Sequence, residues 1–358
     1  MPRAAADEKL SAAGSHRRSV WVRLLAALVI AVLGGMLGKA YGDAFYGPDD
    51  FDYQLGFRIG FSIAFVSALI EIFYIRNYRR SWIRRVAYLP GLVVRVLVLT
   101  LLIRLCIVAN QALSFWLGDA SAWQDFTFAN QLRDTLLSVV VVIAFIMISQ
   151  FTSIIGMRRF LHLVSGRYYR PAVEERIFMF VDLVGSSALA RRLGDLRFHD
   201  FLAEVFFQLD RSSIGYSGEV VSYVGDAVIY TWPLRDDPQR NRSCLKALRA
   251  MHRQMDMVAD AFEVEFGERP HLRAAIHAGP VVVGECGDSR RQITFLGDAV
   301  NMTARIETLT KTLDVDYLIS QQALERIELP ANVEAIDAGQ HELRGSQEPF
   351  TMHRLLLK

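Results

Sequence analysis

Four long apolar stretches, separated by short polar segments, occupy the first 156 residues of the chain. Each is long enough to cross the hydrocarbon core of a bilayer, which takes about 20 apolar residues in a helix. The stretches run from Val20 to Tyr41, Gly56 to Ile75, Pro90 to Leu113 and Leu136 to Gly156. The pattern predicts an N-terminal segment over 1–19 and a four-helix transmembrane bundle over 20–156, embedded in the lipid bilayer.

Charged residues between these stretches alternate in sign along the chain. Arginines flank the cytoplasmic ends predicted for the spans, at Arg17, Arg18, Arg23, Arg76, Arg79, Arg80, Arg84, Arg85, Arg158, Arg159, Arg167 and Arg170. The other two loops carry aspartates, at Asp43, Asp49, Asp50, Asp52, Asp119 and Asp125. Because positively charged loops stay in the cytoplasm, we expect a multi-pass protein of the inner (cytoplasmic) membrane with both termini cytoplasmic.

Two features of the spans bear on packing and on signalling. Small residues recur every fourth position at Gly56, Gly60, Ala64 and Ala68, and on a helix they form a stripe that lets another helix approach closely. The stripe serves either packing within the bundle or a seam between two copies. Arg104 lies near mid-membrane with no carboxylate at its depth, so it is either an interhelical residue or part of a site for an unknown ligand or membrane partner.

A basic, amphipathic linker over 157–175 follows the last span. Phe160, Leu161 and Val164 have helical spacing, and Gly166 and Pro171 end the pattern. Such a helix either carries a conformational signal out of the membrane or rests its arginines on anionic lipid headgroups. Both interpretations stay open at this point.

Strand and helix patterns alternate through the rest of the chain. An apolar run from Ile177 to Leu183 predicts a buried strand, and later residues predict a hairpin that turns at Gly225-Asp226. Two short strands joined by Gly279-Pro280 come next, and a helix from Asp298 to Leu309 follows. This order predicts an α+β domain over 176–358 with a ferredoxin-like core.

Two aspartates in this domain stand at strand ends. Asp182 ends an apolar strand, where a carboxylate gains nothing from packing, and Asp226 occupies the tip of the hairpin that would pair beside it. Two carboxylates brought together repel each other unless a cation lies between them, and magnesium prefers such ligands together with phosphate oxygens. The turn Gly185, Ser186 and Ser187 offers backbone N–H groups at a helix start, which suit a triphosphate.

Composition narrows the classes of function. The formal net charge is only +2, so no basic field indicates a nucleic-acid partner. The three cysteines, Cys106, Cys244 and Cys286, are widely spaced and provide neither a disulfide framework nor a zinc motif.

Four segments of the second domain resemble the successive motifs of class III adenylyl and guanylyl cyclases. They read FVDLVGSSALARRLGD, VSYVGDAV, RAAIHAGPVVVGECG and FLGDAVNMTARIE, and the likeness extends from about Arg176 to Leu356. The resemblance implies a class III cyclase catalytic domain that converts ATP to 3′,5′-cyclic AMP and pyrophosphate with two Mg²⁺, or Mn²⁺ in their place. It also implies a homodimer in which the two subunits share each active site.

The resemblance assigns roles to individual residues. Asp182 and Asp226 match the two metal-binding aspartates of the family. Asn301 and Arg305 match the catalytic pair that orients the ribose and stabilises the pentavalent phosphorus, and four residues apart they share one helix face. Arg344 falls where the family often places a phosphate-binding lysine.

The base-reading positions depart from the family's pattern. Thr294 matches a base-reading position and is similar to many bacterial adenylyl cyclases, but Ser222 stands where the family usually has lysine or glutamate. A serine hydroxyl donates or accepts, so discrimination weakens, while the missing carboxylate favours ATP over GTP. A guanylyl cyclase and a catalytically silent membrane receptor or dimerisation module are the alternatives.

Overall fold

The computed structural model describes residues 24–25, 27–44, 53–73, 88–118, 128–213, 215–289, 291–344 and 348–358. The chain divides into two compact units, Met1–Ile155 and Gly156–Lys358, and each is described by itself. The predicted segment 1–19 and the arginine-rich segment 76–85 lie outside the described residues. The orientation inferred from their charges therefore stays a prediction.

The described residues of the first unit form four long apolar helices. These are α1 (Ala27–Ala44), α2 (Tyr53–Phe73), α3 (Tyr88–Trp116) and α4 (Phe128–Ile155). By length and composition, α1, α3 and α4 could each cross a membrane, whereas the apolar stretch of α2, Gln54–Ile70, is shorter. Three such helices are consistent with a transmembrane region, and the second of the four predicted spans stays a prediction.

The small residues of α2 pack against α1 of the same chain. A Cβ added at Gly60 would lie 2.2 Å from the Gly34 carbonyl oxygen, and one added at Gly38 would lie 2.4 Å from the Gly56 carbonyl oxygen. Gly34 itself faces Ala64, where an added Cβ would come within 2.3 Å of the alanine methyl. This confirms the interpretation of the α2 stripe as packing within the bundle.

Polar side chains also join the helices of the first unit. Arg104 on α3 donates a hydrogen bond through Nη2 to Gln131 on α4. The Tyr41 hydroxyl on α1 donates to Asp134 on α4 over 2.8 Å. Arg104 is therefore an interhelical residue, as one of its two interpretations predicted, and Gln131 rather than a carboxylate is its partner.

The second unit is an eight-stranded mixed sheet with helices, which confirms the expected α+β class. Its strands are β1 (Ala172–Leu183), β2 (Glu219–Val224), β3 (Ala227–Pro233), β4 (Leu272–Cys286), β5 (Gln292–Leu296), β6 (Tyr317–Ser320), β7 (Val333–His341) and β8 (Phe350–Leu357). Its helices are α5 (Met157–Val164), α6 (Ser186–Leu193), α7 (Asp195–Ser213), α8 (Pro238–Asn241), α9 (Ser243–Phe266), α10 (Asp298–Leu313) and α11 (Gln321–Leu324). The strand order is β2-β3-β1-β4-β6-β8-β7, with β5 paired to β4. Among the strands of the described residues, only β4 and β6 are parallel neighbours.

Alternation along β1 decides which helix each of its side chains meets. Alternate residues from Ile177 to Leu183 pack in a core with α7 and α9. Phe178 and Phe180 point to the other face, where they share a core with Ala299 of α10. Since successive strand residues face opposite sides of a sheet, Asp182 continues the second series and lies on the face that α10 covers.

The two short strands predicted around Gly279-Pro280 are one continuous strand, so that prediction is wrong. β4 pairs with the whole of β1, and Pro280 stands opposite Glu175. On its other side, pairing with β6 ends at Ile276 and pairing with β5 begins at Val282. Pro280 falls in this gap, where a residue without a backbone N–H is accommodated in the ladder.

Helix α10 is one turn longer than predicted. It ends at Leu313 and is closed by Asp314, whose left-handed backbone (φ 49°) donates an N–H to the Thr310 carbonyl. The threonine-rich end of this helix has weak intrinsic helix propensity, which is why the sequence pattern ended early. The additional turn carries Lys311, which becomes important at the candidate site.

We expect Gly60→Ile to force α1 and α2 apart and to lower the melting temperature of the detergent-solubilised protein. Overpacking of this kind costs about 1–3 kcal/mol. The matched change Gly91→Ile on α3 should have little effect, because a Cβ at Gly91 meets nothing within 4 Å. Equal melting temperatures for the two variants, measured by thermal unfolding, would contradict the close α1–α2 contact.

Candidate active site

Asp182 and Asp226 meet at one end of the central strand pair. β1 and β3 pair antiparallel up to Val181 opposite Val228, so the turn before β3 arrives beside the end of β1. Gly225 (φ 60°) provides the left-handed backbone that this tight turn needs. Asp182 is only 5% exposed. The fold thus brings together the two aspartates that the sequence singled out.

The electrostatics of this pair favour a bound cation. Burial raises the pKa of the Asp226 carboxyl, a hydrogen bond with Ser186 lowers it, and the adjacent charge of Asp182 raises it again. The net direction is upward, because the second carboxylate and partial loss of water both disfavour a negative charge there. A positive charge between the two carboxylates would relieve this repulsion.

The start of α6 lies next to the aspartates. Gly185 has a left-handed backbone (φ 74°) and precedes the helix. In the described part of the chain, the ladder of α6 begins with the N–H groups of Ala188 and Leu189, which donate to the Gly185 carbonyl. The N–H groups of Ser186 and Ser187 precede this ladder beside Asp226, and their binding of an anion stays a prediction.

Lys311 is a charged residue of this site that the sequence analysis missed. Its Nζ lies 2.8 Å from Oδ2 of Asp182 and 2.9 Å from Oε1 of Glu307. Burial lowers the pKa of Lys311, but the carboxylates of Asp182 and Glu307 raise it by a larger amount, so the net shift is upward. The only signal in the sequence is the i, i+4 spacing of Glu307 and Lys311, which is common on exposed helices.

Asn301 and Arg305 lie on a different part of the surface of the same helix. At about 100° per residue, these two side chains are roughly 40° apart, and Lys311, which contacts Asp182, lies about 80° around the helix from Asn301 and about 120° from Arg305. Asn301 is exposed. Nη1 of Arg305 is buried and finds no hydrogen-bond partner among the described residues. One chain therefore presents its aspartate pair to one face of α10 and its Asn/Arg pair on another.

The remaining predicted site residues are spread over the sheet. Ser222 lies on β2 beside an irregularity in the β2–β3 register. Thr294 lies on β5, and its hydroxyl donates to the Gly284 carbonyl over 3.2 Å. β3, β1 and β4 separate these two strands. Arg344 is exposed and immediately precedes residues 345–347, which lie outside the described chain, so the roles of all three residues stay predictions.

The linker helix contacts the strand that carries Ser222. Arg159 on α5 donates a hydrogen bond through Nη2 to the carbonyl of Val221, next to Ser222, over 2.6 Å. Burial lowers the pKa of Arg159, because a guanidinium that has lost part of its water is less easily charged, and the charge of Glu219 opposes this shift. A physical connection thus runs from the linker helix to a predicted base-reading position.

Residues 169–356, just over half of the chain, match the family model described as the adenylate and guanylate cyclase catalytic domain. The fold, the paired aspartates and this match agree. The chain belongs to the adenylate and guanylate cyclase family.

Individual relatives agree with this membership. The chain is 40% identical over 200 residues to Adenylate cyclase 2 of Rhizobium meliloti (strain 1021), covering 56% of this chain and 55% of that protein. It is 27% identical over 225 residues to Adenylate cyclase of Anabaena cylindrica, covering 61% and 42%. The chain spans about half the length of these curated relatives.

A solved structure shares the fold. A bacterial light-regulated adenylyl cyclase aligns with a TM-score of 0.53 and 19% identity, over 61% of this chain and 64% of that one.

The raised pKa of Asp226 leads to a prediction about stability without metal. The folded state holds this proton more tightly than the unfolded chain, so stability falls as pH rises from 3.8 through the raised value. Asp226→Asn removes this loss. In chelator at neutral pH we expect a melting temperature higher by about 2–4 °C, since solvent screening limits the gain to about 1 kcal/mol.

The difference in melting temperature should shrink as the pH is lowered toward 4, because Asp226 of the unsubstituted protein is then protonated too. The measurement is thermal unfolding of both proteins in EDTA across this range. A variant that is less stable than the unsubstituted protein at neutral pH would show that the carboxylate pair is not repulsive.

Proposed function

We propose that the chain is a membrane-anchored adenylyl cyclase that converts ATP to 3′,5′-cyclic AMP and pyrophosphate. The observation that carries the proposal is the side-by-side placement of Asp182 and Asp226 next to the amide-lined turn at Ser186 and Ser187. This arrangement offers a place for cations and, beside it, a place for phosphates. Family membership and the names of the Rhizobium and Anabaena relatives support ATP as the substrate.

The residues present fit divalent metal ions. Carboxylate oxygens are the hard ligands that Mg²⁺ prefers. The pKa of Asp226 is raised and Asp182 pairs with a lysine, so the electrostatics of the site favour a bound cation. Asp182 and Asp226 would hold two Mg²⁺ or Mn²⁺. When bound, these ions supply Lewis acidity toward the ribose 3′ hydroxyl and charge neutralisation for the triphosphate.

Other residues of the chain would position the reacting groups. The 3′ oxygen forms a bond to the α-phosphorus, the bond to the bridging oxygen of pyrophosphate breaks, and the hydroxyl proton passes to solvent. Arg305, with a buried Nη1 that has no hydrogen-bond partner among the described residues, is suited to the charge that grows on the phosphate oxygens. Asn301 would orient the ribose, and Arg344 would add a cation for the phosphates.

A two-fold homodimer is the assembly that the two faces of α10 support. Since Asn301 and Arg305 lie about 80° and 120° around α10 from Lys311, which contacts Asp182, we take them to serve the aspartates of a second copy. Two equivalent sites would then form, each with the metal ligands of one subunit and the Asn/Arg pair of the other. A monomer would be inactive.

Membrane anchoring is supported by the three helices that are long and apolar enough to cross a bilayer. We propose a multi-pass topology in which α2 is the remaining span and both termini are cytoplasmic, because arginine-rich segments of membrane proteins stay in the cytoplasm. ATP is a cytoplasmic substrate, so this orientation also places the catalytic unit where its substrate is.

Guanylyl cyclase activity is the alternative that Ser222 leaves open. Guanine presents N1 and N2 protons to its reader, and an acidic residue would accept them, whereas Ser222 and Thr294 are hydroxyls. ATP is therefore the preferred substrate of the two. A catalytically silent membrane module is less favoured, because both aspartates, Asn301 and Arg305 are all present.

Subunit sharing predicts rescue between two inactive variants. Asp182→Asn and Arg305→Ala should each be inactive alone, and co-expression should restore up to about one quarter of the full rate. Random mixing makes about half of the dimers mixed, and each mixed dimer has one intact site out of two. Cyclic AMP production by the purified, co-expressed proteins is the measurement.

The matched control is co-expression of Asp182→Asn with Asp226→Asn. Both lesions then fall in the metal half of a site, so every site of a mixed dimer is damaged and no rescue is expected. Equal rescue in the two pairings, or no rescue of the first pair despite demonstrated hetero-association, would contradict a shared site.

Base selectivity should be modest and should respond to Ser222. One hydrogen bond contributes about 0.5–1.5 kcal/mol, which is roughly a 2- to 13-fold preference for ATP over GTP in kcat/KM. Ser222→Glu should move the preference toward GTP by providing an acceptor for guanine, whereas Ser222→Ala should not. Initial rates with both nucleotides decide this, and a preference for GTP in the unsubstituted protein would mean that the adenylyl assignment is wrong.

A further inference from the structure

The last turn of α10 brings a cation onto the carboxylate pair of the same chain. Nζ of Lys311 lies 2.8 Å from Oδ2 of Asp182 and 2.9 Å from Oε1 of Glu307. The carboxylate side chains are 6% and 14% exposed, whereas the lysine side chain is 51% exposed. The two anions are therefore anchored in the protein, and the lysine reaches them from the solvent side.

Both partners of Lys311 are held by the fold. Asp182 is fixed at the end of β1 on the face that α10 covers, and Glu307 precedes Lys311 by one helical turn. Asp226 adds a third carboxyl group through its direct interaction with Asp182. Three carboxyl groups and one ammonium thus lie close together. The ammonium contacts Asp182, which is one of the two aspartates assigned as metal ligands.

We propose that Lys311 is the resident counter-ion of the metal site, which holds Asp182 while the site is free of metal and gives way when a divalent cation binds. This inference rests on the proposed function, since it takes Asp182 to be a metal ligand. The lysine is a positioning residue in this role, and it is not assigned to the substrate.

Competition between the two cations follows from their charges. An ammonium at hydrogen-bond distance from Oδ2 of Asp182 occupies space that a metal ion needs and repels it at short range. The flexible four-carbon stem lets Lys311 withdraw toward Glu307 or toward water. Without the lysine, a metal ion no longer has to displace a cation, but the metal-free protein is left with carboxylates that repel one another.

Loss of the Lys311 charge should strengthen metal binding and destabilise the metal-free protein, and these two effects can be measured separately. We expect Lys311→Met to bind Mn²⁺ about 3- to 10-fold more tightly, because a competing charge at a partly exposed site is removed. The same variant should melt at a lower temperature than the unsubstituted protein in EDTA. Lys311→Arg keeps the charge and should stay within about twofold of the unsubstituted protein in Mn²⁺ affinity.

The experiment uses the full chain in detergent without nucleotide. Free Mn²⁺ is titrated by electron paramagnetic resonance, and melting temperatures are recorded in EDTA. Lys358→Met is the matched control, because Lys358 makes an ion pair of similar length with Glu334, 2.6 Å, away from the aspartates. It should leave Mn²⁺ affinity unchanged. Lys311→Gln, a shorter neutral side chain, repeats the test if the Met variant does not fold.

Asp182→Asn separates failure of this inference from failure of the proposed function. If Asp182→Asn binds Mn²⁺ as tightly as the unsubstituted protein, the metal assignment itself is wrong. If Asp182→Asn loses Mn²⁺ while both neutral Lys311 variants bind with unchanged or weaker affinity, only the counter-ion role is overturned. Tighter binding in the neutral variants, with Lys311→Arg and Lys358→Met unchanged, supports it.

Discussion

The close approach of Asp182 and Asp226 is the constraint on which the catalytic unit depends. Two like charges held close together destabilise the folded state, and partial burial of the pair increases this destabilisation. The fold nevertheless imposes the contact, because the antiparallel pairing of β1 with β3 brings the hairpin turn to the end of the central strand. Two nearby residues offset the repulsion: Ser186 hydrogen-bonds to Asp226, and the ammonium of Lys311 pairs with Asp182.

Helix α10 links the aspartate pair to the dimer that we propose. Its buried side carries Met302 and Ile306, which hold it on the sheet. Lys311 contacts Asp182 of its own chain, and Arg305 lies about 120° around the helix from Lys311. One rigid helix therefore presents different chemistry in different directions, which is how a two-fold assembly builds two equal sites from a single sequence.

The membrane location that we propose for the first unit sets different requirements for helix packing. Helices in lipid gain little from burying apolar surface, so close contact and interhelical hydrogen bonds must hold them together. Gly34 and Gly60 allow the backbones of α1 and α2 to touch. Arg104 and Gln131 join α3 to α4. The second contact places polar side chains, which would be costly to expose to hydrocarbon, against each other within the same bundle.

The sequence by itself determined the features that depend on local periodicity or on short motifs. Apolar runs identified the four helices of the first unit and the strand that carries Asp182. The Gly225-Asp226 turn identified the hairpin, and four short motifs carried the resemblance to the family. These features could be predicted because each is encoded within a few neighbouring residues.

Tertiary structure alone decided the rest, since it depends on partners far away in the chain. The continuity of β4 through Pro280 comes from its pairing with β1. The partner of the α2 stripe is α1, and the partner of Lys311 is Asp182, 129 positions earlier. No local pattern encodes such contacts, because they exist only once the sheet and helices have packed together.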